Sequence, residues 1–158
     1  MARAKGRVEI RPCAPTDAVV RQLLNEHLTH MVDISPEGSM HALDVDGLAS
    51  SDVTMWAAWD GDLLLGCGAL KALGARRGEV KSMRTRDAYR GRGVATRILE
   101  RIIAEARRRS YDTILLETGS WAAFEPARRL YERHGFEYCG PFGDYLEDPN
   151  SVFMRKAL

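Results

Sequence analysis

The segment from Tyr89 to Arg109 constrains the fold more than any other, because it joins a glycine-rich turn to a strongly amphipathic helix. Apolar residues recur at every fourth position, which places them on one face of a helix running from Val94 to Arg109. They are Val94, Ile98, Ile102 and Ala106, with Ala95, Leu99 and Ile103 beside them. The pattern predicts a helix with one face in a protein core and the other in water.

The turn before this helix, Tyr89-Arg90-Gly91-Arg92-Gly93, predicts a binding site for a pyrophosphate. The first N–H groups of a helix lack partners within it, the dipole is positive at that end, and glycines let a ligand approach the backbone. Two other phosphate motifs are excluded, since a dinucleotide fingerprint needs a third glycine where Thr96 stands and a P-loop needs a Gly-Lys-Ser/Thr sequence. We therefore expect neither nicotinamide chemistry nor nucleotide hydrolysis.

The charged residues are divided between two regions, although the net charge is only +1. Residues 76–109 hold twelve Lys or Arg and four acids, which favours an anionic ligand. Residues 22–70 hold no Lys or Arg and eight acids, which favours a cation. A charged stretch is also typical of an ordinary solvated face, and for the acidic region this alternative stays open.

Length and composition indicate one globular domain over residues 1–158. No apolar stretch reaches the roughly 20 residues of a membrane helix, and the polar N-terminus does not resemble a signal peptide. The expected location is therefore the cytoplasm, with no membrane partner. The three cysteines are odd in number and far apart, which indicates neither a disulfide framework nor a zinc site of the CxxC type.

Apolar alternation and turn signals predict a mixed sheet with helices on its faces, of the α+β or three-layer α/β class. Asp60-Gly61-Asp62, between two apolar runs, predicts a hairpin. Predicted helices are Asp17–Met31, a short one around Met40–Leu48, Val94–Arg109 and Pro126–His134. Predicted strands are Arg7–Cys13, Val53–Trp59, Leu63–Leu73, Glu79–Thr85, Thr113–Thr118, Phe136–Cys139 and Val152–Arg155.

Two motifs carry a family resemblance. Arg90-x-x-Gly93-x-Ala95 resembles the acyl-CoA pyrophosphate signature of the GNAT N-acetyltransferase superfamily, and Ala127 to Phe136 is similar to its late helix and Gly-Phe strand start. The elements from Glu79 to Cys139 follow the family's order and spacing. The resemblance implies a mixed, mostly antiparallel, splayed sheet of about seven strands flanked by about four helices, with acyl-CoA in the opening between two central strands.

The resemblance also implies how acetyl-CoA, the expected co-substrate, is held. The pantetheine amides would pair with the backbone around Met83, Arg84 and Thr85. The pyrophosphate would bind amides of the turn and first helical residues, namely Arg90, Gly91, Arg92, Gly93, Val94, Ala95 and Thr96. A backbone N–H near Met83 or Arg84 is the candidate donor to the carbonyl oxyanion. One position departs from the family pattern, because Phe124 stands where many relatives carry asparagine.

Transfer from a thioester to an amine needs a neutral amine, a donor to the oxyanion and a proton donor for the leaving thiolate. Tyr131 matches the family tyrosine that usually serves as this general acid, although its helix position also suits a core tyrosine. Glu79 stands where a carboxylate often accepts the amine proton through water, and its alternative is an exposed strand-end residue. Glu117 and the N-terminal histidines are rival bases.

Several residues are candidates for contact with the acceptor: His27, His30, His41, Glu117, Trp121 and Tyr145. The histidines raise the question of a metal, but the sequence has no HExxH pattern and the chemistry needs no metal, so none is expected.

We expect an N-acetyltransferase acting on a small-molecule or peptide amine, whose positive charge the acidic N-terminal half would attract. The main alternative is a non-catalytic acyl-CoA binding or regulatory module. A nucleic-acid partner is not expected, because the Arg-rich segment lacks interleaved aromatic residues for base stacking. A homodimer is expected only because it is common in the family.

Overall fold

The computed structural model describes residues 8–34 and 45–158. In this part of the chain, seven strands and four α-helices follow in the order βααβββαβαββ. The strands are β1 (Val8–Cys13), β2 (Val53–Asp60), β3 (Leu63–Gly74), β4 (Arg77–Thr85), β5 (Thr113–Gly119), β6 (Glu137–Cys139) and β7 (Ser151–Ala157). The helices are α1 (Ala18–Ile34), the single turn α2 (Val45–Leu48), α3 (Val94–Arg108) and α4 (Glu125–Arg133).

The strands form one sheet in the order β1-β2-β3-β4-β5-β7-β6. All neighbouring pairs are antiparallel except β4 and β5, which are parallel. The parallel pair encloses α3 as its crossover helix, as a βαβ unit requires. The predicted fold class is therefore confirmed, and so is the hairpin at Asp60-Gly61-Asp62, which joins β2 to β3.

Two apolar cores lie on opposite faces of the sheet. The larger core packs α3 and α4 against the sheet through Ile98, Ile102 and Leu116, and the smaller packs α1 through Val20 and Leu23. The helix periodicity explains the division, since the apolar face of α3 is buried while its charged residues stay outside. Burial of each such side chain contributes about 1.5–3 kcal/mol.

The C-terminal end of α3 is fixed to the sheet by a charged network. The buried Glu105 carboxylate accepts hydrogen bonds from Arg108 and Arg109, and Arg109 also donates to the Thr54 hydroxyl on β2 at 2.8 Å. The hydrogen bond from Arg108 is the largest of the effects that lower the pKa of Glu105, to about 2. This network holds the helix whose other end faces the candidate site.

Strands β4 and β5 part after three residue pairs. Arg77, Gly78 and Glu79 pair with Thr113, Ile114 and Leu115, and no further pair joins the two strands in the described residues. β4 continues to Thr85 along β3, and β5 continues to Gly119 along β7. The two strand ends therefore border an opening in the middle of the sheet.

A bulge in β4 lies at the start of this opening. The register with β3 shifts between Cys67 and Ala69, so that Ser82 and Met83 oppose the single residue Gly68. Ser82 has a φ of 54°, in the left-handed region that non-glycine residues rarely adopt. The Cys67 thiol donates a hydrogen bond to the Ser82 carbonyl oxygen at 3.4 Å, which helps to hold this conformation.

Candidate active site

The turn before α3 presents backbone N–H groups to solvent. Gly91 and Gly93 both have a φ of 77°, and Gly93 is the N-cap of α3 without a side-chain hydrogen bond to the cap. The positive φ values explain the two glycines, because other residues are strained in this conformation. Arg90 pairs with Asp87 at 3.0 Å, and the Arg92 guanidinium lies over the Tyr89 ring. This exposed, positively charged turn suits a pyrophosphate.

The end of β4 offers the opening several polar groups without partners. Beyond Glu79, the β4 edge that faces β5 has no strand neighbour among the described residues. Two buried side-chain oxygens there, Ser82 Oγ and Thr85 Oγ1, have no hydrogen-bond partner in this part of the chain. An extended ligand with amide groups would satisfy such an edge. The residues present therefore fit an acyl-CoA arm.

Glu79, Lys81 and Tyr145 form a buried hydrogen-bonded group on β4 and the β6–β7 loop. Lys81 Nζ lies 3.1 Å from Glu79 Oε2, and the side chains of Glu79 and Lys81 are 5% and 9% exposed. Tyr145 Oη donates to the same Glu79 oxygen at 2.6 Å and accepts from Lys81 Nζ at 2.8 Å. The rings of Phe142 and Phe153 pack against Tyr145 and hold it in place.

Glu117 lies on β5, two residues beyond the last β4–β5 pair. Its buried Oε2 atom has no hydrogen-bond partner within the described residues. Burial raises the pKa of Glu117 to about 7; Lys81 lowers it, and the charges of Glu79 and Asp148 raise it further. A carboxyl group that titrates near neutral pH can accept or donate a proton under ordinary conditions.

Tyr131 lies on α4 and is 6% exposed. Its ring packs edge-on against Phe136 in the larger core. Burial and the nearby Glu117 carboxylate raise the pKa of its hydroxyl, which therefore stays protonated across the usual pH range. Tyr131 can be both a core residue and a functional one. Its ring packs in the larger core, while the charge of Glu117 at the opening affects the pKa of its hydroxyl.

Trp121 and Phe124 form a small aromatic cluster just beyond β5. Their ring centroids are 4.7 Å apart, and the Phe124 ring lies so close to Gly119 that a side chain there would clash. Arg128 Nη1 donates to the carbonyl oxygens of Gly119 and Trp121, at 2.8 and 3.0 Å. The loop where many relatives carry asparagine is thus built here from an aromatic ring and an arginine.

The three histidines predicted to contact the acceptor lie outside the part of the chain whose side chains the structure describes. His41 lies outside the described residues, as do the side chains of His27 and His30, although their backbone belongs to α1. Among the residues described, no group of three or more His, Cys, Asp or Glu side chains could hold a metal ion. No helix in this part of the chain is long and apolar enough to cross a membrane.

Three residues at the opening were not predicted from the sequence, namely Lys81, Ser82 and Asp148. Lys81 follows Glu79 at the spacing of two that puts strand residues on one face, so their contact could have been inferred. The Ser82 bulge has no local sequence signal. Asp148 lies in the β6–β7 loop, and its charge raises the pKa of Glu117. Strand periodicity does not predict the position of a loop residue.

These features define an acyl-CoA-dependent transferase: a sheet that parts at its centre, a glycine turn at a helix start beside it, and carboxyl and phenol groups at the opening. The Acetyltransferase (GNAT) family matches residues 19–136. The chain belongs to this family and is an acetyl-CoA-dependent acyltransferase.

Similar proteins come from several bacteria. "Uncharacterized N-acetyltransferase YsnE" of Bacillus subtilis (strain 168) is 55% identical over 143 residues, which cover 90% of this chain and 95% of that protein. "IAA acetyltransferase" of Azospirillum brasilense is 41% identical, with 90% and 92% covered. A solved structure of a candidate acyl-CoA N-acyltransferase from Klebsiella pneumoniae has a TM-score of 0.77 at 29% identity, with 97% and 99% covered.

The raised pKa of Glu117 predicts a pH-dependent stability difference. The unfolded chain loses this proton near pH 4.5 and the folded chain near pH 7, so the folded state loses stability as the pH rises between these values. Glu117→Gln should therefore raise the melting temperature at pH 8 and have little effect at pH 4. The gain is at most about 3 kcal/mol, since one pKa unit corresponds to about 1.4 kcal/mol.

Thermal unfolding of both proteins at the two pH values measures this difference. Glu137→Gln is the matched control, because Glu137 is exposed on β6 and its substitution removes no buried charge. An equal stabilisation by Glu117→Gln at pH 4 and pH 8 would contradict the assigned pKa.

Proposed function

We propose that this acyltransferase moves the acetyl group of acetyl-CoA to a primary amine of a small molecule or peptide, by direct attack of the amine on the thioester. The observation that carries the proposal is the proximity of Glu117, whose buried Oε2 has no hydrogen-bond partner among the described residues, to the buried phenol of Tyr131, whose pKa it raises. One group can accept a proton and the other can donate one, as an acyl transfer to an amine requires.

The charges around the opening support an amine as the acceptor. Glu79 and Asp148 lie close enough to Glu117 to raise its pKa by their charge, and Lys81, which is paired with Glu79, lowers it. The carboxyl groups around Glu117 favour a protonated amine beside it. The ammonium form cannot attack a carbonyl carbon, so a base must remove its proton after it binds.

Glu117 is the better suited of the two candidate bases. Glu79 already accepts hydrogen bonds from Lys81 and Tyr145 through the same oxygen, and protonating it would break this group. The buried Oε2 of Glu117 has no hydrogen-bond partner in the part of the chain that the structure describes, and the pKa of about 7 is close to the pH at which a base must work. We assign the base to Glu117, with Glu79 as the residue that holds Lys81 and Tyr145.

Tyr131 is the proposed general acid. As the amine adds to the carbonyl carbon, a backbone N–H near Met83 or Arg84 donates to the oxyanion. Collapse of the intermediate breaks the carbon–sulfur bond, and Tyr131 Oη gives its proton to the leaving thiolate. Burial keeps this phenol protonated, so a proton is present at the opening when the carbon–sulfur bond breaks.

Acetyl-CoA supplies the acetyl group as a thioester. The β4 edge from Met83 to Thr85 would hold its pantetheine arm, and the turn and helix start from Arg90 to Thr96 would hold its pyrophosphate. The partnerless edge and the two left-handed glycines support this assignment.

The name of the Azospirillum brasilense relative suggests IAA as a further acceptor to test. IAA is therefore an acceptor to compare with primary amines in assays of CoA release. The homodimer and the cytoplasmic location stay predictions.

Glu117→Gln is expected to abolish the rise of kcat/KM with pH that reflects ionisation of the general base. In the native enzyme, kcat/KM should rise as the pH increases through about 7, because only the ionised carboxylate accepts a proton. The variant should lose this rise and about 100-fold in kcat/KM. Steady-state release of CoA between pH 5 and pH 9 measures both effects. If Glu79→Gln abolishes the rise and Glu117→Gln retains it, the base is Glu79 instead.

Tyr131→Phe is expected to lower kcat by about 100-fold. The substitution removes only the hydroxyl group that would protonate the leaving thiolate. The ring contact with Phe136 remains, so the melting temperature should change little. Tyr138→Phe is the control, since the hydroxyl of Tyr138 is exposed and bonded to Glu132. Unchanged turnover of Tyr131→Phe over the whole pH range would exclude it as the general acid.

Gly93→Ala is expected to weaken acetyl-CoA binding by about 10-fold, because alanine disfavours the left-handed conformation that positions the first N–H groups of α3. Gly74→Ala is a closely matched control: Gly74 has a φ of 79°, and its added methyl group likewise meets no atom within 4 Å. Titration calorimetry with acetyl-CoA compares the two. Equal losses of affinity, or none in either, would remove the glycine turn from the binding site. Binding of acetyl-CoA without turnover of any acceptor would indicate a non-catalytic module.

A further inference from the structure

Arg84 is a largely buried cation on β4, and a single long ion pair is given for its side chain among the described residues. Its side chain is 12% exposed, and its Nε atom has no hydrogen-bond partner among the described residues. The ion pair that it makes with Asp87 is long, at 3.6 Å, and the Asp87 side chain is 76% exposed. Arg90 takes the same Asp87 oxygen at 3.0 Å.

A buried N–H donor without an acceptor is costly. In Arg84 this donor is Nε, which has no partner among the described residues and lies beside the Nη2 atom that makes the long ion pair with Asp87. The guanidinium fork matches the geometry of a carboxylate or a phosphate, each of which can accept two hydrogen bonds from it. The geometry therefore calls for an anionic ligand at Arg84.

The side chain of Arg84 lies on the same face of the sheet as the proposed base. In register with β3, Arg84 is opposite Cys67 and Lys81 is opposite Ala69, and both of these β3 residues belong to the core beneath α1. Glu79 is opposite Leu115 on β5, so Glu117 follows on this face beside Lys81. Helix α3 packs on the other face, since Val94 belongs to the larger core, and Asp87, which Arg84 shares with Arg90 of the turn, lies between the two.

This face of the opening therefore has an anionic and a cationic part. Glu117 and Asp148 supply negative charge, and Arg84 supplies positive charge three residues along β4 from Lys81, less than about 10 Å at the usual strand rise. An acceptor with an amine and a carboxylate complements both parts at once.

We propose that Arg84 binds a carboxylate of the acceptor, so that the substrates are amines that also carry a carboxylate, such as amino acids. The inference rests on the proposed function, because it names the acceptor class of that site. A simple amine offers no acceptor to Arg84 Nε. An amine that carries a carboxylate can accept two charge-assisted hydrogen bonds from the Arg84 guanidinium.

The experiment measures kcat/KM for each standard amino acid and for the amide of its carboxyl group, with the native enzyme and with Arg84→Met. The native enzyme should prefer the carboxylate form. In the variant, the ratio of kcat/KM for the amino acid to that for its carboxamide should fall about 10- to 100-fold, the effect of losing hydrogen bonds to a charged group. Arg77→Met is the matched control, since Arg77 also has a buried, partnerless Nε on β4 but lies in the half that pairs with β5.

Three results would overturn the inference: no preference for carboxylates in the native enzyme, an equal fall for both acceptors in Arg84→Met, or the same change of ratio in Arg77→Met. A loss of acetyl-CoA affinity as large as the loss in kcat/KM would assign Arg84 to the co-substrate and also overturn it.

Binding without turnover separates this inference from the proposed function. N-acetyl amino acids and their carboxamides are titrated into the native protein and into Arg84→Met. If no amine is acetylated, the proposed function fails, and the carboxylate preference in this titration decides whether the Arg84 site exists. If amines are acetylated without such a preference, only the Arg84 inference fails.

Discussion

The separation of β4 from β5 after three residue pairs is the constraint on which the rest of the site depends. Each strand stays anchored on its other side, β4 by β3 and β5 by β7, so the sheet can part without losing its core. Backbone groups along the opening are left without strand partners, and unpaired groups of this kind are costly unless water or a ligand meets them. The bulge at Ser82 lies where the strands diverge, and its left-handed backbone is the local strain that accompanies this geometry.

The opening also determines the electrostatics of the site. Lys81 donates directly to Glu79 and lowers the pKa of Glu117, while the charges of Glu79 and Asp148 raise it. The desolvation of Glu117 itself is the largest effect on its pKa. Glu79 is held by hydrogen bonds from Lys81 and Tyr145, whereas Glu117 has a pKa of about 7. The different partners of two carboxyl groups on adjacent strands are the reason for proposing different roles for them.

The helices and strands could be predicted from the sequence because their signals are local. The helix from Val94 follows from apolar spacing, and the β2–β3 hairpin from Asp60-Gly61-Asp62, and both agree with the structure within a residue or so. The family motifs indicated where a co-substrate would bind. By contrast, the contact between Glu79 and Tyr145 joins residues 66 positions apart, and it depends on how the β6–β7 loop folds onto the sheet. No pattern of neighbouring residues encodes that contact.

The position of Phe124 shows how a departure from a family pattern is accommodated. The ring fills the space over Gly119, where any larger residue would collide with it, and Trp121 packs against its edge. The carbonyl groups that end β5 are satisfied by Arg128, so this loop does not need a polar side chain at position 124 to stay ordered. A small residue at 119, an aromatic ring at 124 and a long donor at 128 depend on one another. Replacing Phe124 with the asparagine of other relatives would therefore leave a void over Gly119 before it restored any polar contact.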